Sequence, residues 1–218
     1  GIGLLFLMIT GALLVADLKR PSRFWKILVR PNGSSWLARG TYLIVGYSAL
    51  LLVWACLPFL PVDPSHGLYL TLGWLTCVMA ALTACYTGWL FAQAKGRVLW
   101  MKRGYWAHLI VQAFVAGAAM IMAVFGLTGA EGSEEMRNLG NVLIVSLGVH
   151  YLFIRSESRM APARREEEYG RAVRLITHGP FSKRHLASVL VGIVIPVALI
   201  ALSQMFGLYY TATLTGVF

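Results

Sequence analysis

Apolar residues run along this chain in six blocks, separated by short polar stretches that carry Gly, Pro and charge. The blocks are Ile2–Ala16, Thr41–Leu60, Leu68–Ala92, Tyr105–Leu127, Leu139–Phe153 and Leu186–Leu208. A helix rises ~1.5 Å per residue, so about 20 apolar residues cross a hydrocarbon layer ~30 Å thick. The second, third, fourth and sixth blocks reach that length and read as membrane helices. Pro58 and Pro196 lie inside two of them, which membrane helices tolerate. The fifth is short and is expected to extend toward Glu135 or Arg155. The first has 15 residues, too few to span. The chain opens Gly-Ile-Gly, without Met and without the basic region of a signal peptide. A start partway through a helix is therefore expected, with residues missing before it. The pattern predicts an all-α polytopic transmembrane bundle forming a single membrane domain, residues 1–218.

Composition narrows the class. The 218 residues are 58% hydrophobic and 13% charged, and mean hydropathy is +0.68. No soluble domain hides that much apolar surface. A net charge of +10 would suggest nucleic acid in a soluble protein. Here the distribution of charge gives a different reading, and no nucleic-acid partner is expected. Connections 17–40, 94–104 and 154–185 hold 6, 4 and 8 Lys/Arg, 18 of the chain's 19. The alternate connections, 61–67 and 128–138, hold Arg137 alone, against Asp63, Glu131, Glu134 and Glu135. That alternation supports the helix count, and the positive-inside rule makes the basic side cytoplasmic. The stretch "RREEEYG" in the last connection reads as a solvated helical or interfacial segment with local ion pairs. Cys56, Cys77 and Cys85 all sit in apolar runs with no Cys-x-x-Cys spacing, so core packing is expected and no metal ligated by this chain.

Ionisable groups at membrane depth are costly and mark function by default. Asp17 ends the first block, Tyr86 lies near the end of the third, His108 near the start of the fourth and His150 near the end of the fifth. All four therefore fall in the leaflet on the basic side. Each has a plainer reading. Asp17 suits a turn cap or a partner for Arg20; Tyr86 and His108 suit an interfacial belt; His150 suits a hydrogen bond to a neighbouring helix. Together, an acid, a phenol and an imidazole suit a quinone headgroup, whose carbonyls need donors and whose reduction needs protons.

Three stretches carry a family resemblance. "LLVADLKRPSRFWKILVRPNGSSWLARGTYLI" (13–44), "YTGWLFAQAKGRVLW" (86–100) and, more loosely, "ITHGPFSKRHLASVLVGIVIPVALI" (176–200) resemble the NrfD/PsrC family of polysulfide-reductase-type membrane subunits. The resemblance implies an all-helical subunit of eight or more helices, so that one family helix before this sequence and one after it are absent. It implies a bound quinone (menaquinone or ubiquinone) and a partner iron–sulfur subunit with ferredoxin-like clusters. Beyond that partner it implies a molybdopterin catalytic subunit or a multihaem cytochrome. It implies a multi-pass protein of a prokaryotic plasma (inner) membrane. By position, Tyr86 matches the family's quinone-pocket tyrosine, and Asp17 and Arg20 match its Asp-Leu-x-Arg-Pro motif. His150 stands where many members carry Glu. The expected quinone site is then Tyr86, Asp17, Arg20 and His150, with Asp17 and His150 handling protons. Arg23, Lys26, Arg30, Trp36, Lys95 and Arg97 are expected to face the iron–sulfur partner. In the polysulfide reductase type the docking face is extracytoplasmic, whereas the charge rule makes it cytoplasmic here. The readings kept beside this one are a quinol-oxidising module of an alternative complex III-like assembly, a haem b anchor held by His108 and His150, and a transporter or structural anchor.

Overall fold

The computed structural model describes residues 2–16, 25–30, 32–59, 66–127 and 134–206. Every element among them is helical, and the fold divides into two compact units, residues 1–91 and 92–218. The chain is a polytopic helical bundle. Among the described residues five helices are long and apolar enough to cross a membrane, and a shorter apolar helix precedes them.

The first unit holds α1 (Ile2–Ala16), α2 (Trp25–Val29), α3 (Trp36–Cys56) and α4 (His66–Ala92). Helix α3 starts five residues before the expected Thr41, because Arg39 interrupts the apolar run without interrupting the helix. Arg39 stays exposed; its Nε donates to the Gly33 carbonyl at 2.9 Å and its guanidinium lies 4.8 Å from the Trp36 ring. The turn of helix α2 lies inside a connection that charge alone marked as a loop. It is held to α3 by the Tyr42 hydroxyl, which donates to the Leu28 carbonyl at 2.5 Å.

Helices α3 and α4 form an antiparallel hairpin whose register can be followed along its length. At one end the Trp36 and Trp89 rings stack at 4.8 Å and 13°. Gly40 then meets Tyr86, and Gly46 faces the Met79 tip. At the other end Trp54 Nε1 donates to Thr76 Oγ1 at 2.9 Å, with Tyr69 tilted against Trp54 at 5.9 Å. Glycines inside a membrane helix let the partner approach where a side chain would hold it off.

The second unit is built on the hairpin of α5 (Tyr105–Leu127) and α6 (Glu134–Ser156). Gly104, at φ +70°, makes the turn into α5, a backbone conformation that residues with a Cβ rarely adopt. Met136, Gly140, Leu143 and Leu147 recur at helical spacing and make the buried stripe of α6. Against it lie Ala118 and Met122 of α5. From the last span, α8 (Ser182–Val189) and α9 (Ile195–Phe206), come Ile200 and, between the two helices, Ile193. Helix α6 extends past the apolar block 139–153 at both ends, toward Glu135 and Arg155 as its short apolar length predicts, through polar first and last turns. A π turn, Leu190–Val194, joins α8 to α9 just before the buried Pro196, which has no N–H to give the ladder.

Both basic connections of this unit lie at the same end of the α5–α6 hairpin and are tied together there. Helix α7 (Glu166–Thr177) buries Tyr169 and Val173 and carries three Glu in its first turn, where the helix dipole favours acid. The Tyr169 hydroxyl donates to the Glu157 carbonyl at 3.0 Å. Burial, and then the Glu157 charge, push this phenol far above its ordinary range, so it stays a neutral donor. Lys102 Nζ pairs with Glu157 Oε1 at 2.8 Å, with the Lys side chain 8% exposed. Arg165 grips Glu168 through both carboxylate oxygens and also donates to the Lys95 carbonyl.

Replacing Lys102 with Met leaves Glu157 without its counter-ion. The expected cost is ~1–3 kcal/mol, read as a lower thermal midpoint in detergent, and Glu157→Gln added to that background should recover part of it. Equal midpoints for wild type and Lys102→Met would show the pair to be idle.

Candidate functional site

Tyr86 is the polar point of an apolar recess. The ring is 4% exposed and its edge lies directly on the Gly40 backbone, where a Cβ would overlap it, coming within 2.7 Å of Cζ. The recess, about 670 Å³, is walled by the C-terminal half of α1 and the first three turns of α3. Its lining includes Gly11, Val15, Ala16, Leu37, Thr41 and Ile44 with Tyr86. Thr41 spends its hydroxyl on the Leu37 carbonyl at 2.9 Å. Among the described residues the Tyr86 hydroxyl has no hydrogen-bond partner, so it is the donor that this wall can offer a ligand. A volume of this size lies in the range of ligand pockets, ~300–1,000 Å³.

In sequence the expected acid, Asp17, directly follows Ala16 of the recess lining. Asp17, Arg20 and Arg23 are outside the described residues. Lys26 and Arg30 are exposed on and just after α2, and Lys95 and Arg97 are exposed in the second unit. Arg97 lies 4.1 Å from the Trp100 ring and Lys26 5.9 Å from the Trp25 ring. Trp36 is half-buried, held between the Trp89 ring and the Arg39 guanidinium, so its first role is in the α3–α4 stack.

His150 meets His108 in the second unit. A hydrogen bond of 2.9 Å joins His108 Nε2 to His150 Nδ1. The His108 ring stacks on Phe153 at 5.0 Å and 4°, edge-on to Tyr105. His108 Nδ1 is buried without a partner among the described residues. A buried N–H left unpaired is rarer than a bare acceptor. The hydrogen-bond network therefore assigns the shared proton to His108 Nε2, which donates to His150 Nδ1. Two imidazoles sharing one iron, at ~2.0–2.1 Å per metal–nitrogen bond, would hold those nitrogens about 4 Å apart. These two face each other at hydrogen-bond distance instead, which is the neighbouring-helix contact and not the geometry of a haem ligand pair. No group of three or more His, Cys, Asp or Glu could hold a metal ion among the described residues.

Sequence reasoning located Tyr86, His108 and His150 but not Gly40, Thr41 or the Lys102–Glu157 pair. Gly40 was placed at the end of the connection 17–40, outside the helix, and Lys102 was counted as loop charge. Gly40→Ala should displace the Tyr86 ring and cost ~1–3 kcal/mol of stability, read as a lower thermal midpoint. Gly46→Ala faces only the flexible Met79 tip at 3.1 Å and should cost much less. The comparison is spoiled if both variants melt with wild type.

No curated protein and no solved structure matches the chain. A family model described as polysulphide reductase, NrfD, matches residues 1–214. With that match, the chain belongs to the NrfD family of membrane subunits of oxidoreductase complexes.

Proposed function

We propose that this chain is the quinone-binding subunit of a respiratory oxidoreductase complex, serving electron exchange between the membrane quinone pool and a ferredoxin-like iron–sulfur partner. A molybdopterin subunit or a multihaem cytochrome would stand beyond that partner. The observation that carries the reading is the apolar recess with the hydroxyl of the buried Tyr86 in its wall, unpartnered among the described residues. A long apolar molecule with a polar head fits such a wall, because the walls accept the apolar part and Tyr86 can donate to one carbonyl oxygen. A bound quinone, menaquinone or ubiquinone, would supply a two-electron, two-proton couple. The chain's own residues would then orient the head, exclude water with the α1 and α3 side chains, and hold protons. Asp17, next to Ala16, is the nearest acid in sequence to the recess, with Arg20 three residues on as its cation. His150 would hold a proton jointly with His108, since the two rings share one bond. The chain sits in a prokaryotic plasma membrane in this reading, with connections 17–40, 94–104 and 154–185 on the cytoplasmic side by their charge.

Tyr86→Phe removes the donor and keeps the ring. In the purified complex it should lower quinone-linked turnover roughly tenfold, the effect of one hydrogen bond of ~1.4 kcal/mol, while dye-linked activity of the soluble subunits stays unchanged. Unaltered quinone-linked turnover in both Tyr86→Phe and Asp17→Asn would sink the site.

Arg23, Lys26 and Arg30 crowd one short connection and two of them are exposed where described. Reversing all three to Glu should release the iron–sulfur subunit on size-exclusion chromatography while the variant still inserts in the membrane. Co-elution at wild-type stoichiometry would mean that the connection is only an anchor.

A further inference from the structure

A second recess lies in the other unit, at the end of the α5–α6 hairpin that carries the basic connections. It measures about 400 Å³ and forms where α6 ends and α8 begins, with the end of α7 closing one side. Three cationic or titratable side chains line it, Arg155, Lys183 and His185, together with the hydroxyls of Ser182, Thr177 and Tyr151. No carboxylate lines it among the described residues. The nearest acid in sequence, Glu157, is taken by Lys102. Among the described residues Arg155 and Lys183 have no ion-pair partner. Below the cations the lining turns apolar, through Ile154, Leu186 and Val189. Arg155 and Ser182 lie at the ends of two membrane-spanning helices, so this change from basic to apolar falls at the depth where hydrocarbon gives way to water.

We propose that this recess is a binding site for an anionic phospholipid. Its phosphate would sit on Arg155, Lys183 and Ser182, and its acyl chains would run along Leu186 and Val189. The charge pattern selects an anion, because two unpaired cations with no acid among them attract one and repel another cation. Arg155 offers the planar fork that pairs with two phosphate oxygens, Lys183 adds a point charge, and the first turn of α8 adds N–H groups and a positive dipole end. The apolar floor selects a lipid over a free ion. A basic surface alone would hold phosphate equally well, whereas a recess that continues between two membrane helices rewards an attached chain.

Native mass spectrometry of the purified full chain in mild detergent tests both parts. With equal phosphatidylglycerol and phosphatidylcholine, the wild type should retain phosphatidylglycerol with about tenfold preference, from two cations near the membrane surface. Arg155→Gln with Lys183→Gln should abolish the preference and leave phosphatidylcholine adducts unchanged, which also reports that the variant is folded. Arg155→Lys, which keeps the charge and loses the fork, should retain an intermediate preference. Excess inorganic phosphate should not displace the lipid. An undiminished preference in the double variant, or displacement by inorganic phosphate at equal concentration, overturns the proposal; the second result would make the recess a plain anion site. Should the double variant fail to fold, Lys183→Gln alone decides, since its side chain is exposed and its loss should halve the preference or more.

Discussion

Hydrocarbon offers no hydrogen bonds, and every polar group of a spanning helix must therefore find its partner within the protein. Most of what is specific in this structure follows from that single demand. Thr10, Thr41, Ser48, Thr71 and Thr76 each turn their hydroxyl back onto the carbonyl four residues earlier. Trp54, too large to hide its N–H, reaches across the hairpin to Thr76. His108 Nε2 and His150 Nδ1 satisfy each other, while His108 Nδ1 stays bare among the described residues. Pro196, which cannot donate at all, follows a turn whose hydrogen bonds have already changed span. The helices do not attract one another by excluding water, as soluble helices do, so close contact at Gly40 and Gly140 and a few such bonds must set their register.

The same demand explains what the sequence made legible. Span positions could be read because apolar length is dictated by bilayer thickness and needs no knowledge of neighbours. The bounds of α1 and α5 match the apolar blocks, Ile2–Ala16 and Tyr105–Leu127. A boundary failed where a helix runs on through a charged turn, as at Arg39, since hydropathy ends before the backbone ladder does, whereas the extension of α6 to Glu134 was expected because its apolar block was too short to span. Helix α2 was missed because five residues carry too little periodic signal. Within the candidate site, Tyr86 could be named because a phenol at depth is expensive. Its companion Gly40 could not, because the value of a missing side chain depends wholly on what lies opposite. Pairings such as His108 with His150 or Lys102 with Glu157 join residues 42 and 55 apart, and one sequence contains no record of them.

The two recesses also illustrate how little chemistry a membrane subunit must carry in its own side chains. One offers a single hydroxyl in an apolar wall; the other offers cations above an apolar floor. In each case the bilayer itself determines what can arrive, because only molecules already dissolved in it can approach from the side. Selectivity can then rest on one or two polar groups, where a pocket open to water would need many more to reject competing solutes.

The internal employment of Arg165 has a further consequence. Its guanidinium is committed to Glu168 and to the Lys95 carbonyl, Arg39 to the Gly33 carbonyl and Trp36, and Lys102 to Glu157. Part of the basic surface is thus structural mortar, and Lys102 and Arg165, each matched by a Glu, add little to the field that a passing protein meets. Charges fixed in short contacts at low accessibility are screened far less than free ones, whose influence fades over ~8 Å at physiological ionic strength. Raising the salt should therefore weaken contacts made by the exposed charges of the second unit well before it weakens the Lys102–Glu157 pair, so that loss of surface attraction and denaturation are separate events there.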